Sequence, residues 1–155
     1  MKLKQLTEMK FIYEFLRDLT ALGGTILFLL ILPLALVVKE YQLFWQLLFG
    51  YCSTMIVVVL IRTFYYKDRP NKEAHHNYLE KLDASSFPSW HTARALFLAL
   101  IFSEKFNYFP LTVFLITITV IVAYSRLYLK KHDIIDVMGG MVLGGVAFWL
   151  AVKLI

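Results

Sequence analysis

The apolar residues of this chain fall in blocks of about twenty, divided by short charged turns, and that block length decides what it can fold into. An α-helix rises about 1.5 Å per residue, so about 20 residues cross the ~30 Å hydrocarbon core of a bilayer. Inside lipid every backbone N–H and C=O must pair within the protein, which restricts crossing segments to helices or closed barrels. Blocks of this kind occupy residues 19–38, 42–61, 109–129 and 134–155, with a shorter one at 89–102. The 155 residues are 59% hydrophobic and only 17% charged, against about 25% charged in a soluble domain. The expected fold is all-α: a single polytopic helix bundle over residues 1–155 with about five transmembrane helices.

Residues 1–18 place Leu3, Leu6, Met9, Tyr13 and Leu16 at helical spacing among charges, which predicts an amphipathic helix lying in the interface. The apolar run that follows is too long for a signal peptide and lacks a cleavage site, so it is expected to be retained as a span. Pro33 falls within it, where a kink is tolerated. Cys52 is the only cysteine, so no intrachain disulfide can form. Residues 63–86 are the one long hydrophilic segment and are expected to leave the membrane. They lead into Ser85, Ser86, Pro88 and Ser89, residues that start helices. Gly140 and Gly144 in the last span form a small-residue face for close helix packing, expected to be used within the molecule.

Counting crossings puts the ends of spans two and four, and the starts of spans three and five, on one membrane face. Three polar segments meet there. Arg62 is followed after six residues by Arg69-Pro70; next comes Pro88-Ser89-Trp90-His91; last, Ser125-Arg126 is followed after five residues by His132 and, after three more, by Asp136. Arg62, Arg69 and Arg126 bring permanently charged planar forks to one place. Such forks match phosphate oxygens, and charges near hydrocarbon usually mark a functional site. His132 and Asp136, four apart at a helix start, share a face. A carboxylate accepting from one imidazole nitrogen leaves the other with a lone pair for attack. His91, brought opposite, is placed to protonate a departing oxygen, and helix-start amides near Ser89 to donate to a phosphate. Arg94 lies one turn beyond His91, where support of the site and snorkelling are equally open. Lys67 and Lys72 are expected mainly as a solvated loop that draws in anions, and Asp133 as a cap for the last helix. His75 and His76 lack metal-ligand spacing.

These motifs resemble the type 2 phosphatidic acid phosphatase superfamily, which shares its site with vanadium haloperoxidases and bacterial acid phosphatases. The resemblance runs from Arg62 to Asp136. It implies His132 as a nucleophile that forms a phosphohistidine, Asp136 as its orienting carboxylate, and His91 as acid and then base. It also implies Arg62, Arg69, Arg126, Ser89 and the Trp90 amide as phosphate-binding groups, with Ser125, Arg94 and Lys67 as possible support. No metal or other cofactor is implied, because the arginines supply the charge. Two positions depart from the pattern: Arg62 stands where it has lysine, and Trp90 where it has glycine.

The expected activity is therefore hydrolysis of a lipid phosphate or diphosphate. Candidate substrates are undecaprenyl diphosphate, phosphatidylglycerophosphate, phosphatidate or lipid A phosphate. The alternatives are a phosphotransferase with the same site and a non-catalytic lipid-binding or transport protein. The expected partners are the bilayer and this substrate, with no nucleic acid, since the net charge of +5 has no nucleic-acid motif beside it. The expected location is a bacterial inner membrane. Two arguments about orientation oppose each other. Basic residues concentrate on the site's side, which the positive-inside rule places in the cytoplasm. The resemblance implies a site facing the periplasm, and basic residues around a phosphate site have their own reason to be there.

Overall fold

A computed structural model describes residues 2–72 and 74–155 of the chain, with side chains from residue 10 onward. The fold is all-helical, as the block lengths require. In chain order the helices are α1 (Lys2–Leu19), α2 (Thr25–Val37), α3 (Tyr41–Phe64), α4 (Tyr78–Ala84), α5 (Trp90–Phe106), α6 (Phe109–Tyr128) and α7 (Ile134–Leu154). A 3₁₀ turn over Thr20–Gly23 links α1 to α2.

Among the described residues, four stretches are long and apolar enough to cross a membrane: Lys10–Val37, Tyr41–Phe64, Phe109–Tyr128 and Ile134–Leu154. The expected five spans thus become four such stretches and the shorter α5, 17 residues long. The first departs most from expectation. It starts nine residues before residue 19 and is broken at Gly23–Gly24, where Gly24 is extended (φ −77°, ψ 158°). A helix is present over Lys2–Leu19; of the predicted apolar face, Leu16 is buried and Tyr13 is exposed, whereas Leu3, Leu6 and Met9 lie outside the described side chains.

The bundle is built around α5, which packs most extensively on α7 and then on α6 and α3. That central place explains why a helix of only 17 residues buries eight of them, including Phe97 and Ile101. Close approach is made possible by glycine. A Cβ on Gly140 would collide with the Ser89 carbonyl, and one on Gly144 with the Ala93 carbonyl. The small-residue face is therefore used within the molecule. On α3, Gly50 likewise leaves room for the Phe97 ring. Deeper in the bundle, Phe28, Leu47, Phe97, Ile101 and Ala151 belong to one apolar core. Outward-facing Ile26, Leu30, Val37, Phe109 and Val142 stay exposed, as expected of side chains that meet lipid.

The two ends of the bundle differ. One is closed by tight turns: Lys39 (φ 61°) between α2 and α3, and Asn107 (φ 44°) between α5 and α6. An ion pair there joins Glu40 to Lys105. The other end carries the whole 65–89 segment, in which the short helix α4 interrupts what the sequence predicted as a loop. Asn77 caps α4 by accepting from the Glu80 amide at 2.9 Å.

Candidate active site

The C-termini of α3 and α6 and the N-termini of α5 and α7 lie at the same end of the bundle, so the three polar segments meet there as the crossing count predicted. Main-chain bonds fix the arrangement. The Ser89 amide donates to the Asp136 carbonyl at 2.9 Å, tying the start of α5 to the start of α7. The Ser86 amide donates to the Lys67 carbonyl at 2.8 Å, and the Asn71 amide to the Lys130 carbonyl at 3.1 Å. The loop is thereby folded over the α6–α7 turn.

Asp136 is wholly buried. Its Oδ2 accepts from the Asp133 amide at 2.9 Å, and Asp133 in turn accepts from the Asp136 amide at 3.0 Å, a capping box that starts α7. The same Oδ2 lies 3.7 Å from His132 Nδ1, so the predicted pair is brought together, at contact rather than hydrogen-bond distance. His132 Nε2 faces Arg126 Nη2 at 3.4 Å. A proton on Nδ1, facing the carboxylate, leaves Nε2 as the acceptor for that guanidinium. Burial, opposed by Asp136 and reinforced by Arg126, lowers the His132 pKa below the ordinary imidazole value, which favours the neutral ring.

Lys67 is not a solvated loop residue. Its ammonium donates to Asp136 Oδ1 at 2.8 Å and to Asp133 Oδ2 at 2.6 Å. Burial works against its charge, but the hydrogen bonds and attraction of the two carboxylates outweigh it, and its pKa rises. Lys72, by contrast, stays exposed and pairs with Asp68 at 2.9 Å.

Arg62, Arg69 and Arg126 are all buried. Arg62 donates to the Leu82 carbonyl at 2.9 Å and the Pro88 carbonyl at 3.1 Å. Arg69 donates to the Asp83 carbonyl. His91 lies within electrostatic reach of Arg126, Arg94, His132 and Arg62, so both imidazoles sit in one cationic field. Ser89 occupies the N-cap position of α5, but its hydroxyl pairs with Thr92 Oγ1 at 3.0 Å rather than capping the helix. Ser125 bonds Thr20 Oγ1 at 2.7 Å, joining α6 to the 3₁₀ turn. Gly23 in that turn abuts the His91 carbonyl, where an added Cβ would stand at 2.6 Å. Neither Thr20 nor Gly23 was singled out from the sequence, because each acts through a partner about 70 to 105 residues away. The Trp90 indole does not fill the site. It lies beneath the Arg94 guanidinium, 4.3 Å from ring centroid to Cζ, and beside Tyr51 at 6.1 Å.

Fold and site define an integral membrane helix bundle with a histidine–carboxylate pair set among buried arginines at one end. The chain belongs to the PAP2 superfamily, whose sequence pattern it matches over residues 43–155. No curated protein matches significantly. Among solved structures it is similar to LpxE of Aquifex aeolicus, with a TM-score of 0.78 and 20% identity over 92% of this chain and 86% of that one. It is also similar to the transmembrane PAP2-type phosphatidylglycerolphosphate phosphatase of Bacillus subtilis, with a TM-score of 0.69 and 23% identity over 93% of this chain and 76% of that one.

Proposed function

We propose that this protein is a lipid phosphatase that works through a phosphohistidine on His132. The observation that carries the reading is the line Lys67–Asp136–His132–Arg126: a clamped carboxylate faces one imidazole nitrogen, and the other nitrogen points to a guanidinium. His132 Nε2 attacks phosphorus, and the bond to the leaving oxygen breaks. Asp136 stabilises the imidazolium that results, while Arg62, Arg69, Arg126 and the amides at the start of α5 hold the phosphoryl oxygens. The negative charge of the bound phosphate offsets the cationic field around His91, so the ring takes up a proton and gives it to the leaving oxygen. It then takes one from the water that cleaves the P–N bond, releasing inorganic phosphate and restoring neutral His132. The arginines supply the charge stabilisation, so no metal takes part in this scheme.

A lipid substrate is supported by a groove of about 280 Å³ on the flank of α2, α5 and α6, lined by Leu22, Leu27, Ala95, Leu98, Phe114 and Ile118. Its lining is apolar, as an acyl or prenyl tail requires, and Leu22 adjoins the Gly23–His91 contact. The experiment is phosphate release from lipid phosphates by purified protein in detergent, compared with His132→Ala. The variant is expected to lose at least about 10³-fold in kcat, as nucleophile deletions do, and the parent to keep its rate in EDTA. An equally active variant, or a parent that needs an added divalent ion, rejects the scheme.

A further inference from the structure

Arg94 is a buried cation with no anion beside it among the described residues. It is 2% exposed, one of the most enclosed side chains of the bundle. One terminal nitrogen donates to Thr25 Oγ1 on α2, and its face covers the Trp90 indole. No carboxylate among the described residues pairs with it; the Tyr51 phenol lies near enough to favour its charge, and Arg126 and Arg62 near enough to repel it. Its Nε and the Trp90 Nε1, both buried, have no hydrogen-bond partner. A permanently charged guanidinium inside a membrane bundle, with like charges as neighbours, is costly unless something negative joins it. A wholly structural strut between α2 and α5 does not require a charge.

The position says where that negative group belongs. Arg94 is three residues beyond His91 on a helix that runs from the site end into the membrane, about 4.5 Å further along its axis. The apolar groove adjoins it: Ala95 is the next residue, and Leu22 and Leu27 flank the Thr25 that Arg94 holds.

We propose that Arg94, with Trp90 Nε1, forms a subsite for a second phosphoryl group carried by the leaving group, so that the preferred substrate is a lipid diphosphate. This rests on the phosphatase reading above. The terminal phosphorus is attacked by His132 Nε2, the phosphoanhydride P–O bond breaks, and His91 protonates the bridging oxygen. The product leaves as a lipid monophosphate, whose charge Arg94 balances. Water then releases the terminal group as inorganic phosphate.

The test measures kcat/KM of the purified protein for farnesyl diphosphate and farnesyl monophosphate, which share one tail, and for a phosphatidate. The diphosphate is expected to lead the monophosphate by about 30-fold or more. In Arg94→Gln that ratio is expected to fall at least tenfold, and in Arg94→Lys to be partly kept. A ratio that survives in Arg94→Gln, or an equal loss on both substrates in both variants, makes Arg94 a strut and overturns the subsite. A monophosphate or phosphatidate preferred by the parent overturns the subsite while leaving the phosphatase reading intact. A parent that releases phosphate from none of the three defeats both. Should Arg94→Gln fail to fold, inhibition of the parent decides. Pyrophosphate is expected to bind at least tenfold more tightly than orthophosphate, and equal inhibition overturns the proposal.

Discussion

At the scale of single residues, the carboxylate that faces His132 is held from behind by Lys67, 69 residues earlier in the chain. The contact exists only because the loop folds over the α6–α7 turn, and Asp133 shares the same ammonium. Lys67→Met is expected to lower kcat about 10- to 100-fold, in the range of lost outer-shell partners of a reactive group, with Lys67→Arg recovering part of it. An unchanged kcat in Lys67→Met shows that Asp136 holds His132 unaided. His132 makes a pH prediction. Its pKa lies below the ordinary imidazole value of about 6.5, so the acidic limb of kcat/KM is expected below that pH; a limb centred above it contradicts a neutral nucleophile. The linked stability has the same sign. The unfolded chain takes up this proton first as pH falls, so the contribution of His132 is complete above the unfolded value and is lost as pH drops towards the folded one. The arginines, His91, His132 and Asp136 were legible in the sequence because their spacing is local to a helix end. Lys67 entered only as support implied by the resemblance, and its contact with Asp136 was not legible, because nothing in its own segment records where the loop lands.

At the scale of elements, glycine sets the spacing of the two helices that frame the site. Gly140 and Gly144 face the backbone of α5, whereas Gly145 has nothing within 4 Å of an added Cβ. Gly144→Leu is therefore expected to destabilise the bundle by about 3 kcal/mol or more, since the obstacle is main chain and cannot turn aside. Gly145→Ala is expected to be neutral or to stabilise by up to about 1 kcal/mol through helix propensity. Thermal unfolding in detergent compares them, and equal melting temperatures for the two variants contradict the packing account. The small-residue pattern was readable because it repeats at helical spacing. The break at Gly23–Gly24 was not, because a glycine pair inside an apolar block is also compatible with a continuous span; what requires it is the His91 carbonyl on another helix.

At the scale of the whole molecule, block lengths and crossing parity were enough to gather the polar segments at one end, since each crossing fixes the side of the next turn. They could not give the orientation of the bundle, because the basic residues that serve a phosphate site also count towards the positive-inside rule. We propose that the site faces outward. With Cys52→Ser as background, a cysteine at the exposed position of Lys72 is expected to react with a membrane-impermeant maleimide in intact cells; labelling only after lysis puts the site inside. The bond from the Ser89 amide to the Asp136 carbonyl has a practical consequence. The two segments that carry the imidazoles are fastened by main chain, so deleting a reactive side chain leaves the vessel whole. A His132→Ala protein is then a bait: drawn from its native membrane, it is expected to carry its own unreacted lipid, whose mass would name the natural cargo.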